Sequence, residues 1–125
     1  MPRCLPLLLS CCAAATLLAC GSIPAGAATA FDGTWSVLVV TERGDCDRAY
    51  RYPVRVQNGA VSYAGDASFA VSGRVARNGS VQVQIGRGDS SARGSGRLSR
   101  DAGRGTWTGR SSSGSCSGTW SAERR

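Results

Sequence analysis

The groups of this 125-residue chain that could carry acid–base or nucleophilic chemistry are eight carboxylates and a serine-rich run, because histidine and lysine are both absent. Catalysis of that kind at neutral pH relies on an imidazole, or on a carboxyl, amine or thiol tuned toward neutrality. The densest acidic grouping is Asp32, Glu42, Asp45 and Asp47, and it reads as solvated acid at one end of a β-structure. The serines of SSSGS, residues 111–115, have no base beside them and read as a flexible turn. No enzyme is expected. No metal centre is expected either, since two thiols without another soft ligand cannot complete a site.

What remains is binding. All fifteen basic residues are arginine, for a net charge of +7, or +6 once Arg3 of the leader is set aside. Arg93, Ser95 and Arg97 alternate with Gly94 and Gly96, and Arg51 and Arg55 alternate with Tyr50, Tyr52, Val54 and Val56. Arginine therefore marks the solvent face of several strands as a basic belt. Such a belt suits an anionic glycan or another envelope component through salt-screened attraction, or serves solubility alone. It implies no sequence-specific nucleic-acid partner. Arg43-Gly44-Asp45 and Arg87-Gly88-Asp89 are both Arg-Gly-Asp tripeptides, and the second, at an expected hairpin tip, resembles the integrin-recognition loop of adhesive proteins. The three tryptophans share one tripeptide: Gly33-Thr34-Trp35, Gly105-Thr106-Trp107 and Gly118-Thr119-Trp120. They form either a ligand platform or recurrent interior packing.

The elements that must position these residues follow a leader. Arg3 precedes an apolar run from Leu5 to Ala19, too short for a comfortable membrane span of roughly 20 residues. It reads as a signal peptide with a flexible tail over residues 1–30, followed by one β domain over 31–125. Two processing sites are legible: Leu17-Leu18-Ala19-Cys20 resembles a lipobox, and Ala28-Thr29-Ala30 fits ordinary signal peptidase. The protein is expected to be exported, periplasmic or secreted, and anchored to a membrane only if Cys20 is lipidated. A monomer is expected.

Four of six cysteines lie in the leader, leaving Cys46 and Cys116 to form one disulfide. Closing so long a loop removes unfolded-state entropy worth about 4 kcal/mol in the chain-entropy model. That term matters here, because Leu, Ile, Val and Phe make up only 15 of the 95 residues from Phe31 onward.

No helical periodicity survives three turns after Phe31. Alternating runs predict strands near 33–41, 49–57, 60–64, 68–77, 80–87, 91–99, 103–109 and 115–122. Short connections make them an up-and-down antiparallel meander, and their even number allows an eight-stranded closed barrel; a two-sheet sandwich is the alternative. A two-residue Asn58-Gly59 turn pairs Val56 with Val61 and Val54 with Tyr63. A three-residue Arg77-Asn78-Gly79 loop, with Gly79 left-handed, pairs Val75 with Val81 and Val71 with Ile85. Pairing Gly96 with Trp107, Trp107 with Gly118 and Trp120 with Gly33 sets every indole against glycine on both neighbouring strands, favouring packing over a platform. That closure also brings Cys116 near Cys46.

The segments FDGTW at 31–35, GDCDRAYRYPV at 44–54 and CSGTWSAERR at 116–125 resemble a group of small exported bacterial proteins sharing FDGxWxV, GxCDxAYRYxV and a terminal CSGxW. The likeness spans the whole domain, and some members carry haem-utilisation or adhesion labels. Taken as a haem protein, the chain would offer Tyr50 or Tyr52 as an axial phenolate and Arg51 or Arg55 to the propionates. Gly33-Thr34-Trp35 is also similar to the first strand of eight-stranded barrel protease inhibitors, avidins and lipocalins. An inhibitor of an exported protease would insert an N-terminal arm, residues 21–32. The reading as a whole is a binding or structural protein of the cell envelope, without catalytic activity. Mass spectrometry of the exported protein is expected to give a chain starting at Phe31; a lipid-bearing Cys20 would overturn that assignment.

Overall fold

The computed structural model describes residues 29–66 and 68–125, so the lipobox and Cys20 lie outside the described residues. Eight strands follow in order: β1 (Gly33–Arg43), β2 (Ala49–Gln57), β3 (Ala60–Tyr63), β4 (Ala70–Val75), β5 (Ser80–Arg87), β6 (Ser90–Leu98), β7 (Ala102–Ser111) and β8 (Gly114–Arg124). Each pairs antiparallel with the next and β8 returns to β1, closing the barrel and setting aside the sandwich alternative. Closure leaves no edge strand to seed aggregation. Cys46 and Cys116 form the disulfide, with Cα atoms 6.1 Å apart, tying the loop after β1 to the start of β8.

The turns set the register where they are tight. Asn58 (φ 53°) and Gly59 (φ 80°) make the two-residue turn, and Val56 faces Val61 while Val54 faces Tyr63. Gly79 is left-handed (φ 92°) in the three-residue loop, which aligns Val75 with Val81 and Val71 with Ile85. Alternation then sends valines, tyrosines and glycines inward while arginine, serine and glutamine face water.

Two of the expected pairings are displaced. Trp107 faces Gly94, not Gly96, because the β6–β7 turn closes over Arg100 and Asp101 alone, with Ser99 N donating to Ala102 O at 2.7 Å. A slip of two residues keeps every side chain on its face, so Trp107 still meets glycine, here Gly94 and Gly118. At the closure the shift is larger: Trp120 pairs with Val39, not Gly33, and Gly118 pairs with Thr41. Tilted strands close only with a stagger around the whole barrel, and no local turn reveals that sum. Trp35 consequently has no glycine neighbour; it lies between Val54 and Arg124.

The glycines of β7 and β8 clear paths for two indoles. Trp120 crosses Gly105 and donates from Nε1 to Ser95 O on β6 at 3.1 Å. Trp107 starts on β7 beside Gly118 of β8, and its Nε1 reaches Val40 O on β1 at 3.0 Å. A Cβ at Gly105 would collide with Ser95 O and the Trp120 ring, and one at Gly118 with Val40 O. Each glycine thus uncovers a carbonyl for an indole that spans one strand to reach the next. The paired ring nitrogens also meet the rule that buried indole N–H groups find partners.

One end of the barrel is shut. Phe31, Trp35, Val56, Val61, Val75, Val81, Leu98 and Ala122 form its buried core, with Trp35 only 1% exposed. Arg124 lies over the Trp35 ring at 4.7 Å and donates to Asp32 O at 2.7 Å, Ala30 O at 2.8 Å and Arg100 O at 2.9 Å. Trp35 Nε1 donates to Phe31 O at 2.9 Å, and Asp32 accepts from the backbone of Asn58 and Gly59. The segment before β1 is therefore latched under the barrel.

Gly105→Ala and Gly118→Ala are each expected to lower stability by about 1–3 kcal/mol, read as the urea midpoint. Gly86→Ala, where a new methyl meets nothing within 4 Å, serves as the matched control and is expected to change it by less than about 0.5 kcal/mol.

Candidate functional site

The strand faces that pack the closed end do not fill the other. A cavity of about 330 Å³ runs up the interior from Trp35, Val75 and Leu98 to an open mouth at Tyr50, Arg87 and Arg110. Its wall is mostly apolar, with Val37, Val39, Val54, Val71, Val83 and Ile85 on the large-residue side and Gly94, Trp107, Gly109 and Trp120 opposite. The reason is compositional: β6, β7 and β8 turn Ala92, Gly94, Gly96, Gly103, Gly105, Gly109 and Gly118 inward, and two indoles replace only part of the missing volume. The size falls at the small end of ligand pockets, which span roughly 300–1,000 Å³.

Four aromatic rings crowd the mouth. Tyr52 stacks on Tyr50 at 4.6 Å and meets Phe69 edge-on at 5.2 Å, and Phe69 meets Tyr63 at 5.2 Å. Aromatic pairs at these separations add attraction beyond area burial. Tyr50 is the outermost, 48% exposed. Burial pushes the Tyr52 hydroxyl above its ordinary value of 10.0, with Tyr50, Asp47 and Tyr63 acting the same way and Arg87 opposing. At neutral pH it is a protonated hydrogen-bond donor.

Arg87 is the inward-facing residue that ends β5, and its guanidinium lies 4.9 Å from the centre of the Phe69 ring. Arg124 also faces inward, yet each of its three guanidinium nitrogens donates to a carbonyl at the closed end. Among the described residues, Arg87 has neither an ion-pair nor a hydrogen-bond partner.

The residues singled out in the sequence separate into three groups. Tyr50, Tyr52, Trp35, Trp107 and Trp120 share the cavity. Arg51 and Arg55 do not: they are exposed on the outer wall, where Arg51 donates to Ser36 Oγ at 3.0 Å. The pairing of a tyrosine with those arginines around one ligand is therefore not assembled, because alternation sends adjacent residues to opposite faces. Asp32 lies at the closed end, whereas Glu42 stands at the opposite end of β1 and Asp45 and Asp47 follow that strand, so the acidic grouping is split. Gly44 (φ 96°) belongs to the disulfide, since a Cβ there would strike Cys116 Sγ and Ser115 O. Gly88 (φ 59°) and Asp89 form the two-residue β5–β6 turn, but Arg87 of that tripeptide is turned onto Phe69.

Outside, Arg93 and Arg97 are exposed as expected, and Arg97 directly faces Arg104 across the β6–β7 ladder. Sequence reasoning missed Tyr63, Phe69, Arg87 as a mouth residue, and Arg124. Phe69 shares the inward parity of Val71, and Tyr63 that of Val61, so a face-by-face reading could have found both. Arg124 carried no signal that set it apart from its fourteen fellow arginines.

Comparison with protein-family models, curated proteins and solved structures finds no match. No residue role therefore transfers from a relative.

The displaced Tyr52 hydroxyl has a measurable consequence. Its native value lies above the unfolded one, so its contribution to stability is complete below the ordinary tyrosine value and is lost as pH rises through the native value. A near-ultraviolet alkaline titration is expected to show a late-ionising tyrosine, and Tyr52→Phe is expected to remove that component; an unchanged titration would refute the assignment.

Proposed function

We propose that the protein is an exported, non-catalytic binding barrel that takes a small, largely apolar molecule into its interior. The observation that carries this reading is the cavity, which is apolar along its length, rimmed by aromatic rings and open at one end. Eight-stranded barrels have an interior just wide enough to be filled by side chains or to hold one small ligand. The inward glycines leave this interior partly unfilled, which supports the second alternative. Export is supported by the leader and by the disulfide, which belongs to oxidising compartments. Absence of catalysis is supported by the lack of histidine and lysine in the chain.

The competing readings have less behind them. An inhibitory arm would need a free N-terminal segment, whereas Phe31 is buried and Asp32 caps the β2–β3 turn. Haem ligation would need the phenolate of Tyr50 or Tyr52, of which burial disfavours the second, and the arginines read for the propionates, Arg51 and Arg55, face outward. The outer wall supports a supplementary contact with an anionic envelope glycan, because Arg97 and Arg104 lie side by side without an acid between them.

Trp107 and Trp120 line the cavity and report on its contents. Their emission is expected to shift in a saturable way when a small apolar probe such as an anilinonaphthalene dye is added. Emission that no apolar compound alters would mean that the interior is not a binding site.

A further inference from the structure

We infer that the cavity selects an anionic amphiphile, a medium-chain carboxylic acid bound tail inward with its carboxylate against Arg87; this rests on the cavity reading above. Three features of the mouth point the same way. The first is an asymmetry between two inward-facing arginines. Arg124 engages three carbonyl oxygens and the Trp35 ring, which accounts for its presence at the closed end. Arg87 engages only the face of Phe69, which leaves the whole fork of its guanidinium unpaired among the described residues. The contact with the Phe69 ring holds that guanidinium at the mouth, and a planar carboxylate is the anion its fork matches in two parallel hydrogen bonds.

The second feature is the neighbour. The Tyr52 hydroxyl, with an ordinary value of 10.0 that burial raises further, is protonated at neutral pH, and the field of Arg87 reaches it. A phenol that holds its proton donates to an anion and repels none. The third is the gradient along the barrel axis. Below this lip the wall is valine, isoleucine and indole down to Trp35, with no charge to pair with a second polar group. A ligand with one charged end and one apolar end meets both demands, and burying its chain supplies roughly 25 cal/mol per Å² of apolar surface. The modest volume limits the chain to medium length. Asp47 is the acid that lines the mouth, and Arg110 lies on the same rim, so the lining carries two positive groups against one negative.

The test is a tryptophan-fluorescence titration of the intact barrel with three ligands of equal chain, dodecanoate, dodecanol and dodecyltrimethylammonium, each below its micellar concentration at neutral pH. Dodecanoate is expected to bind about five- to tenfold more tightly than dodecanol, in line with a charge-assisted hydrogen bond at a partly exposed site. Arg87→Gln is expected to bring dodecanoate to the alcohol's affinity and leave the alcohol unchanged, while Arg87→Lys keeps part of the preference. Equal binding of acid and alcohol, with a silent Arg87→Gln, overturns the head-group assignment and leaves the cavity reading standing. Tighter binding of the ammonium compound overturns it in favour of Asp47. No binding of any of the three removes both the inference and the reading beneath it.

Discussion

An indole lying across a bare stretch of backbone is the contact on which this barrel depends. Peptide carbonyls inside a sheet pair along the ladder and are normally hidden beneath side chains, so a carbonyl left bare can accept a second hydrogen bond through its remaining lone pair. Gly105 and Gly118 expose such carbonyls, and Trp120 and Trp107 both cover the backbone and donate to it from Nε1. Each ring begins on one strand, passes its neighbour and hydrogen-bonds the strand beyond. The two rings run in opposite directions around the wall, so together they staple β6 through β8 to β1 across the seam where the sheet closes.

The same economy of side chains leaves the protein hollow. Glycine and alanine on the inner face of β6 to β8 remove volume that two indoles restore only in part, while β1 to β5 supply valines and tyrosines. A core this thin has little burial to set against chain entropy. The long-range disulfide compensates through the unfolded state, and the Arg124 latch compensates through the native one. Both devices act at the ends of the barrel, the disulfide near the mouth and the latch under the base. The middle of the barrel is left without either device.

Polarity follows from that division. The base is closed by a cation whose three guanidinium nitrogens each donate to a carbonyl, and the mouth carries a cation with no hydrogen-bond partner among the described residues. Between them lies an apolar tube with one entrance. Under the proposed binding role, selectivity would rest on the length of the tube, the rings at the rim and the sign of the charge beside them.

How much of this was legible before any coordinates depended on the range over which each feature is decided. Strand positions, the Asn58-Gly59 and Arg77–Gly79 turns and the pairing of the two cysteines follow from alternation, turn chemistry and compartment, which act within a hairpin or by elimination. Gly94 in place of Gly96 opposite Trp107 is a miss of one turn's geometry, and it preserved the face because side chains alternate with a period of two. The six-residue displacement of Trp120, from Gly33 to Val39, is of another kind, since the stagger of a closed barrel is a sum over all eight ladders. The same holds for the site. Arg87 and Arg124 are alike as letters in the chain, and only closure of the wall put one beneath carbonyl oxygens and the other beside an open cavity. The amino-acid order by itself determined the meander, its faces and its crosslink, because those are local. The hollow, its open mouth and which of the two inward-facing arginines is left without a hydrogen-bond partner among the described residues were decided by the tertiary structure, because each depends on strands that meet only when the sheet returns to its own beginning.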